Sequence, residues 1–115
     1  MAEYVMKNIT KNWLEKHGFH QHTLFSSEEE TIYTYRFPVF KYRGIPTLEG
    51  EVMVCLETGE AKIDIFEKGT RNRYASWYCE KMGFGQPNKV VDAIKKVVEK
   101  KIKDLKIEET KENEK

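Results

Sequence analysis

The chain has 115 residues, of which 34% are charged and 12% aromatic, and its formal net charge is +1. That length holds one domain with a core of its own, and the near-neutral balance excludes a global attraction to nucleic acid or to an anionic membrane. No apolar run is long enough to span a bilayer and no leader-like segment is visible, so a cytoplasmic protein with two reduced cysteines, Cys55 and Cys79, is expected.

Residues 3–17 read as a helix. Met6, Ile9 and Trp13 fall on one face, flanked by Val5 and Leu14, with Lys7, Lys11, Asn12 and Glu15 outward. Gly18 then Phe19 is the pattern of a left-handed glycine ending a helix, followed by an apolar residue that folds back on its last turn. His20–Phe25 reads as a short strand and Ser26–Glu29 as its turn. Residues 31–40 are a stronger strand: Tyr33, Tyr35, Phe37 and Val39 share one face, and Ile32, Thr34, Arg36 and Phe40 the other. Pro38 cannot donate to a ladder, which puts this end on an edge, at a bulge or past the paired region. Tyr42–Pro46 is read as a loop.

The clearest pattern runs from Leu48 to Phe66. Val52, Val54 and Leu56 alternate with Met53 and Cys55; after a break at Thr58-Gly59, Ala61, Ile63 and Ile65 alternate with Lys62 and Asp64. A hairpin with a two- or four-residue loop puts Val52, Val54, Leu56, Ala61, Ile63 and Ile65 on one buried face, and a slip by one residue would destroy it. Met53, Cys55 and Phe66 are left on the opposite face. Either another element covers them, or they form an exposed surface for association.

Residues 67–70 close the hairpin. Tyr74, Trp77, Tyr78 and Met82 have helical spacing over 71–82, with Gly83 as a stop. Pro87 and Asn88 open the strongest helix, 88–106, whose Val91, Ile94, Val98, Ile102 and Leu105 trace one stripe, widened by Val90 and Val97. The domain is expected to span 1–107, with 108–115 a disordered charged tail. Strands segregated between helices imply an α+β class: a two-layer fold with an antiparallel three- or four-stranded meander sheet, packed against an N-terminal helix and one or two C-terminal helices.

The chemistry-bearing residues give no catalytic motif. His17, His20 and His22 cluster, but without the spacing of a zinc site, and no metal or cofactor is expected. Glu49, Glu51 and Asp64 could do acid–base work only in a pocket, and strand alternation points them to solvent. Gly83-Phe84-Gly85 lacks the ending of a phosphate loop. A non-enzymatic protein-binding or adaptor module is therefore expected, working through a protein partner or self-association. Tyr33, Tyr35, Arg36, Phe40, Tyr42 and Arg43 lie on or near an edge strand that another chain could extend; Met53 and Phe66 are the candidates on the second face.

Charge polarity supports an alternative. Residues 1–66 carry a net −3, residues 67–106 a net +6 and residues 107–115 a net −2. Lys68, Arg71, Arg73 and Trp77, with Lys96 and Lys100 of the last helix, interleave cations with a ring, as a nucleic-acid contact would. The order helix–strands–helix is similar to that of the double-stranded-RNA-binding domain. The turn Pro87-Asn88-Lys89-Val90-Val91 departs from that family's Lys-Lys-rich, Ala-rich turn, and the Thr58-Gly59 loop is shorter than its groove-reaching loop, so the chain is not assigned to it.

Overall fold

The computed structural model of the chain describes residues 3–81 and 88–110. Six strands form one antiparallel sheet, accompanied by three helices, so the α+β class holds while the expected three or four strands become six. In chain order these are β1 (Glu3–Met6), α1 (Lys11–Lys16), β2 (His20–Gln21), β3 (Ile32–Tyr42), β4 (Ile45–Cys55), β5 (Glu60–Glu67), α2 (Ala75–Lys81), α3 (Lys89–Asp104) and β6 (Ile107–Thr110). The sheet order is β2-β3-β4-β5-β1-β6. Two compact units share these strands. One takes β1, α1, β2, the start of β3, the β4–β5 turn and β6. The other takes β3 from Arg36, β4 as far as Glu51, β5 from Asp64, and α2 and α3.

In the first unit, the helix expected over 3–17 is cut short. Asn8 sits in the left-handed region at φ 59°, which ends β1, and Thr10 starts α1 by accepting the Trp13 N–H on its side-chain oxygen at 3.1 Å. Tyr4 and Val5 instead pair with Ala61 and Glu60, and residues 3–6 pair with 107–110. Glu108–Thr110, expected in the tail, thus belong to β6; residues 111–115 lie outside the described residues. The C-terminus of α1 follows the expected pattern. Gly18, at φ 93°, donates to the Glu15 carbonyl and Phe19 donates to that of Leu14, with Leu14 and Phe19 both fully buried.

The β4–β5 connection is four residues long, 56–59. Gly59, at φ 79°, donates to the Cys55 carbonyl, and its own carbonyl accepts the Met6 N–H at 2.8 Å. A Cβ there would stand 2.4 Å from the Met6 carbonyl oxygen, so only glycine fits. Glu57 closes the other side of this turn: its carboxylate accepts the Thr31 N–H and hydroxyl at 2.7 and 2.8 Å. Those two hydrogen bonds hold its carboxyl below the usual range.

In the second unit, β3 and β4 meet in a two-residue turn at Arg43 and Gly44, both with positive φ, where the sequence reading placed a longer loop. Two consecutive left-handed residues match the twist of the flanking strands and keep the hairpin paired to its tip. Gly50 lets the Phe37 ring lie against the β4 backbone. The expected helix over 71–82 begins only at Ala75. Residues 72–74 run along β5 first: Glu67 donates to the Asn72 carbonyl, Tyr74 donates to that of Ile65, and Phe66 bridges Arg73. Asn88 caps α3 by accepting the Val90 and Val91 N–H groups, and Val91, Ile94 and Val98 are buried as their stripe predicts. Residues 82–87, including the expected stop at Gly83 and start at Pro87, lie outside the described residues.

Candidate functional site

The expected buried face of the hairpin is present: Val52, Val54, Ile63 and Ile65 are all buried. Leu56 and Ala61, at the turn, are half-buried. The opposite face is covered as well. Phe66 is 1% exposed and Cys55 is buried, while Met53 is half-buried. The solvated carboxylates expected on this face are also corrected, because Glu51 is 3% exposed.

What covers Phe66 is a pair of guanidinium groups. The Cζ atoms of Arg36 and Arg71 each lie 4.6 Å from the ring centroid, a distance at which the ring's negative face attracts a cation. Glu51 binds both arginines. It accepts from Arg36 Nε at 3.3 Å and from Arg71 through two nitrogens, at 3.0 and 3.4 Å. Glu49 accepts from Arg36 at 3.2 Å and from the Gly69 N–H at 3.1 Å. Two cations are thus matched by two carboxylates around one ring. Buried charge persists where each group is paired and hydrogen-bonded, and here both carboxylates are already engaged by donors within the fold.

A second polar group sits on β5, beside residues 72–74. The Tyr78 hydroxyl accepts the Ile65 N–H at 3.1 Å and donates to Asp64 at 2.7 Å. Arg73 stands 3.9 Å from the same carboxylate and over the Tyr78 ring. Burial, reinforced by the Asp64 carboxylate, pushes the phenol up to about 12, against the opposing pull of the Ile65 N–H. Because the folded value is raised, Tyr78 contributes stability that is present below about pH 10 and lost as pH rises through about 12. Tyr78→Phe is expected to cost about 1–2 kcal/mol at neutral pH, since the Ile65 N–H loses its acceptor. It should also flatten the fall in stability above pH 10, and urea unfolding at neutral and alkaline pH checks both effects.

The nucleic-acid candidates separate. Arg71 and Arg73 face Glu51 and Asp64, and Trp77 is 6% exposed. Lys68, Lys96 and Lys100 are exposed. Among the histidines, His17 stacks on Trp13 at 4.0 Å and His22 on Phe25 at 3.9 Å. Among the described residues, no three His, Cys, Asp or Glu side chains converge as a metal site would require.

The protein-contact candidates lie along β3. Tyr33 is buried in the core and Tyr35 packs on Phe19 at 5.3 Å. Phe40 is half-buried, and Tyr42 and Arg43 are exposed at the hairpin tip beside Ile45. β2 is two residues long and pairs only with Tyr33 and Thr34. From Arg36 to Tyr42, β3 has no neighbouring strand on that side among the described residues. A shallow groove of about 340 Å³ runs beside this stretch, lined by Pro38, Val39, Phe40 and Lys41 of β3 and by Ala93 and Val97 of α3. The lining from α3 is the feature sequence reasoning missed. Ala93 stands outside the apolar stripe, and Val97 reads as the margin of a core face.

No family model matches the chain, and neither does any curated protein or solved structure. No helix among the described residues is long and apolar enough to cross a membrane.

Proposed function

We propose that the chain is a non-enzymatic protein-binding module that takes a partner by strand addition at β3. The observation that carries this reading is that, among the described residues, no strand neighbours residues 36–42 on the β2 side of β3, and that an apolar groove lies beside them. An unpaired strand presents a row of backbone donors and acceptors that an extended segment can complete, while adjacent pockets select its side chains. The other end of the sheet, β6, exposes Glu108 and Glu109, charges that blunt an edge. Pro38 removes one donor from the β3 stretch and so limits indiscriminate pairing. Two free thiols, Cys55 and Cys79, support a reducing compartment such as the cytoplasm. The nucleic-acid alternative is the weaker one, because Arg71 and Arg73 already face carboxylates and Trp77 is buried.

Photo-crosslinkers placed at Lys41 and, as a control, at Lys11 of α1 test the reading. A partner captured from Lys41 alone should protect the amides of residues 36–42 from hydrogen exchange when bound. Capture from Lys11 alone, or protection confined to β6 or α2, overturns it.

A further inference from the structure

We infer that the occupant of the β3 edge is an extended acidic segment of a partner protein, with one apolar side chain for the groove and acidic side chains two positions away on either side. This deepens the strand-addition reading and rests on it. The argument is charge complementarity. Ala93 and Val97 line the groove, and residues three or four positions from them on a helix share that flank. Those positions include Lys89, Lys96 and Lys100, all exposed, beside Val90, Ile94 and a half-buried Lys101 that lies over the Phe37 ring. Across the groove Lys41 belongs to its lining and is also exposed. Among the described residues, none of Lys41, Lys89, Lys96 and Lys100 pairs with a carboxylate. Asp92 and Glu99, the acidic residues of the same helix stretch, occupy neither set of neighbouring positions.

The groove therefore has an apolar floor and a basic rim. In an added strand, alternate side chains point to the same face. The side chain over Ala93 and Val97 meets apolar surface, and those two positions before and after it reach the lysines. A nucleic acid fits the groove less well, since Phe40 is the one aromatic ring among its described lining residues and Val39, Ala93 and Val97 offer no face on which a further base can stack.

The test uses synthetic peptides with a Glu-Thr-Val-Thr-Glu core, a counterpart with Gln for each Glu, and a mixed-sequence single-stranded oligonucleotide. Each is titrated into the labelled protein and followed by amide chemical shifts. The Glu peptide is expected to shift residues 36–42 and to bind roughly tenfold tighter than the Gln peptide at low salt, with the advantage shrinking as salt rises. Lys96→Glu with Lys100→Glu should abolish that advantage, while Lys103→Glu should leave it. Far-UV circular dichroism confirms that these surface variants remain folded. Equal binding of both peptides at β3 overturns the acidic preference and leaves strand addition standing. No shift in β3 with either peptide overturns both. Tighter binding of the oligonucleotide at the same residues overturns the inference in favour of nucleic acid.

Discussion

Phe66→Ala is expected to destabilise the protein by about 3–5 kcal/mol, the range for removing a large buried aromatic side chain. The ring is 1% exposed. Its loss leaves a void between strands and removes the surface on which Arg36 and Arg71 rest. Each cation–ring contact adds about 0.5–2 kcal/mol, more where water is excluded. Phe66→Leu divides the effect, since it restores most of the volume but no aromatic face; it should cost about 1–2 kcal/mol. Urea unfolding measures both, read as a shift in midpoint at constant slope. A loss below about 1 kcal/mol for Phe66→Ala would mean that the second face of the hairpin is not a packed core. Equal losses for Ala and Leu would assign the cost to the guanidinium contacts rather than to volume.

This second core also marks where the sequence stops being legible. Local periodicity reads correctly wherever a face is buried by its own pattern: Val52, Val54, Ile63 and Ile65 on the hairpin, Phe37 and Val39 on β3, and Val91, Ile94 and Val98 on α3. The turn chemistry of Gly18 and Gly59 is equally readable, because a positive φ favours glycine at both. What fails depends on partners distant in sequence. Glu51 reads as solvated because a charge on a strand ordinarily is, and its burial comes from Arg36 and Arg71, 15 and 20 residues away. β1 reads as helix because Met6, Ile9 and Trp13 happen to recur at helical spacing. Four residues are too few to show alternation, and their partner, β6, lies at the far end of the chain in what reads as a polar tail. The groove had the same difficulty. β3 reads as an edge from Pro38, but nothing local in Ala93 or Val97 indicates that they face it.

Glu51→Leu is expected to cost about 3 kcal/mol, the lower end of what breaking one member of a buried ion pair costs. The lower end applies because the two arginines are not equally enclosed. The Arg71 side chain is 48% exposed and can turn to water, whereas that of Arg36 is 24% exposed and stays beside Phe66. Glu49 still neutralises Arg36 in part. Replacing both members, Arg36→Met with Glu51→Leu, should recover most of the loss, to within about 1–2 kcal/mol of the native chain, because no uncompensated buried charge then remains. The four unfolding free energies form a double-mutant cycle, and a coupling below about 0.5 kcal/mol would show that the two side chains act independently. The same variants separate stability from recognition. Arg36 begins the stretch of β3 that lacks a neighbouring strand on one side among the described residues, but its guanidinium turns to the face carrying Glu51 and Phe66, while Lys41 lines the groove with α3. If strand addition uses backbone groups and the groove, the double variant should bind the Glu peptide as the native chain does, at temperatures where both are folded. A parallel loss of binding and stability would instead make the guanidinium cluster part of the recognition surface.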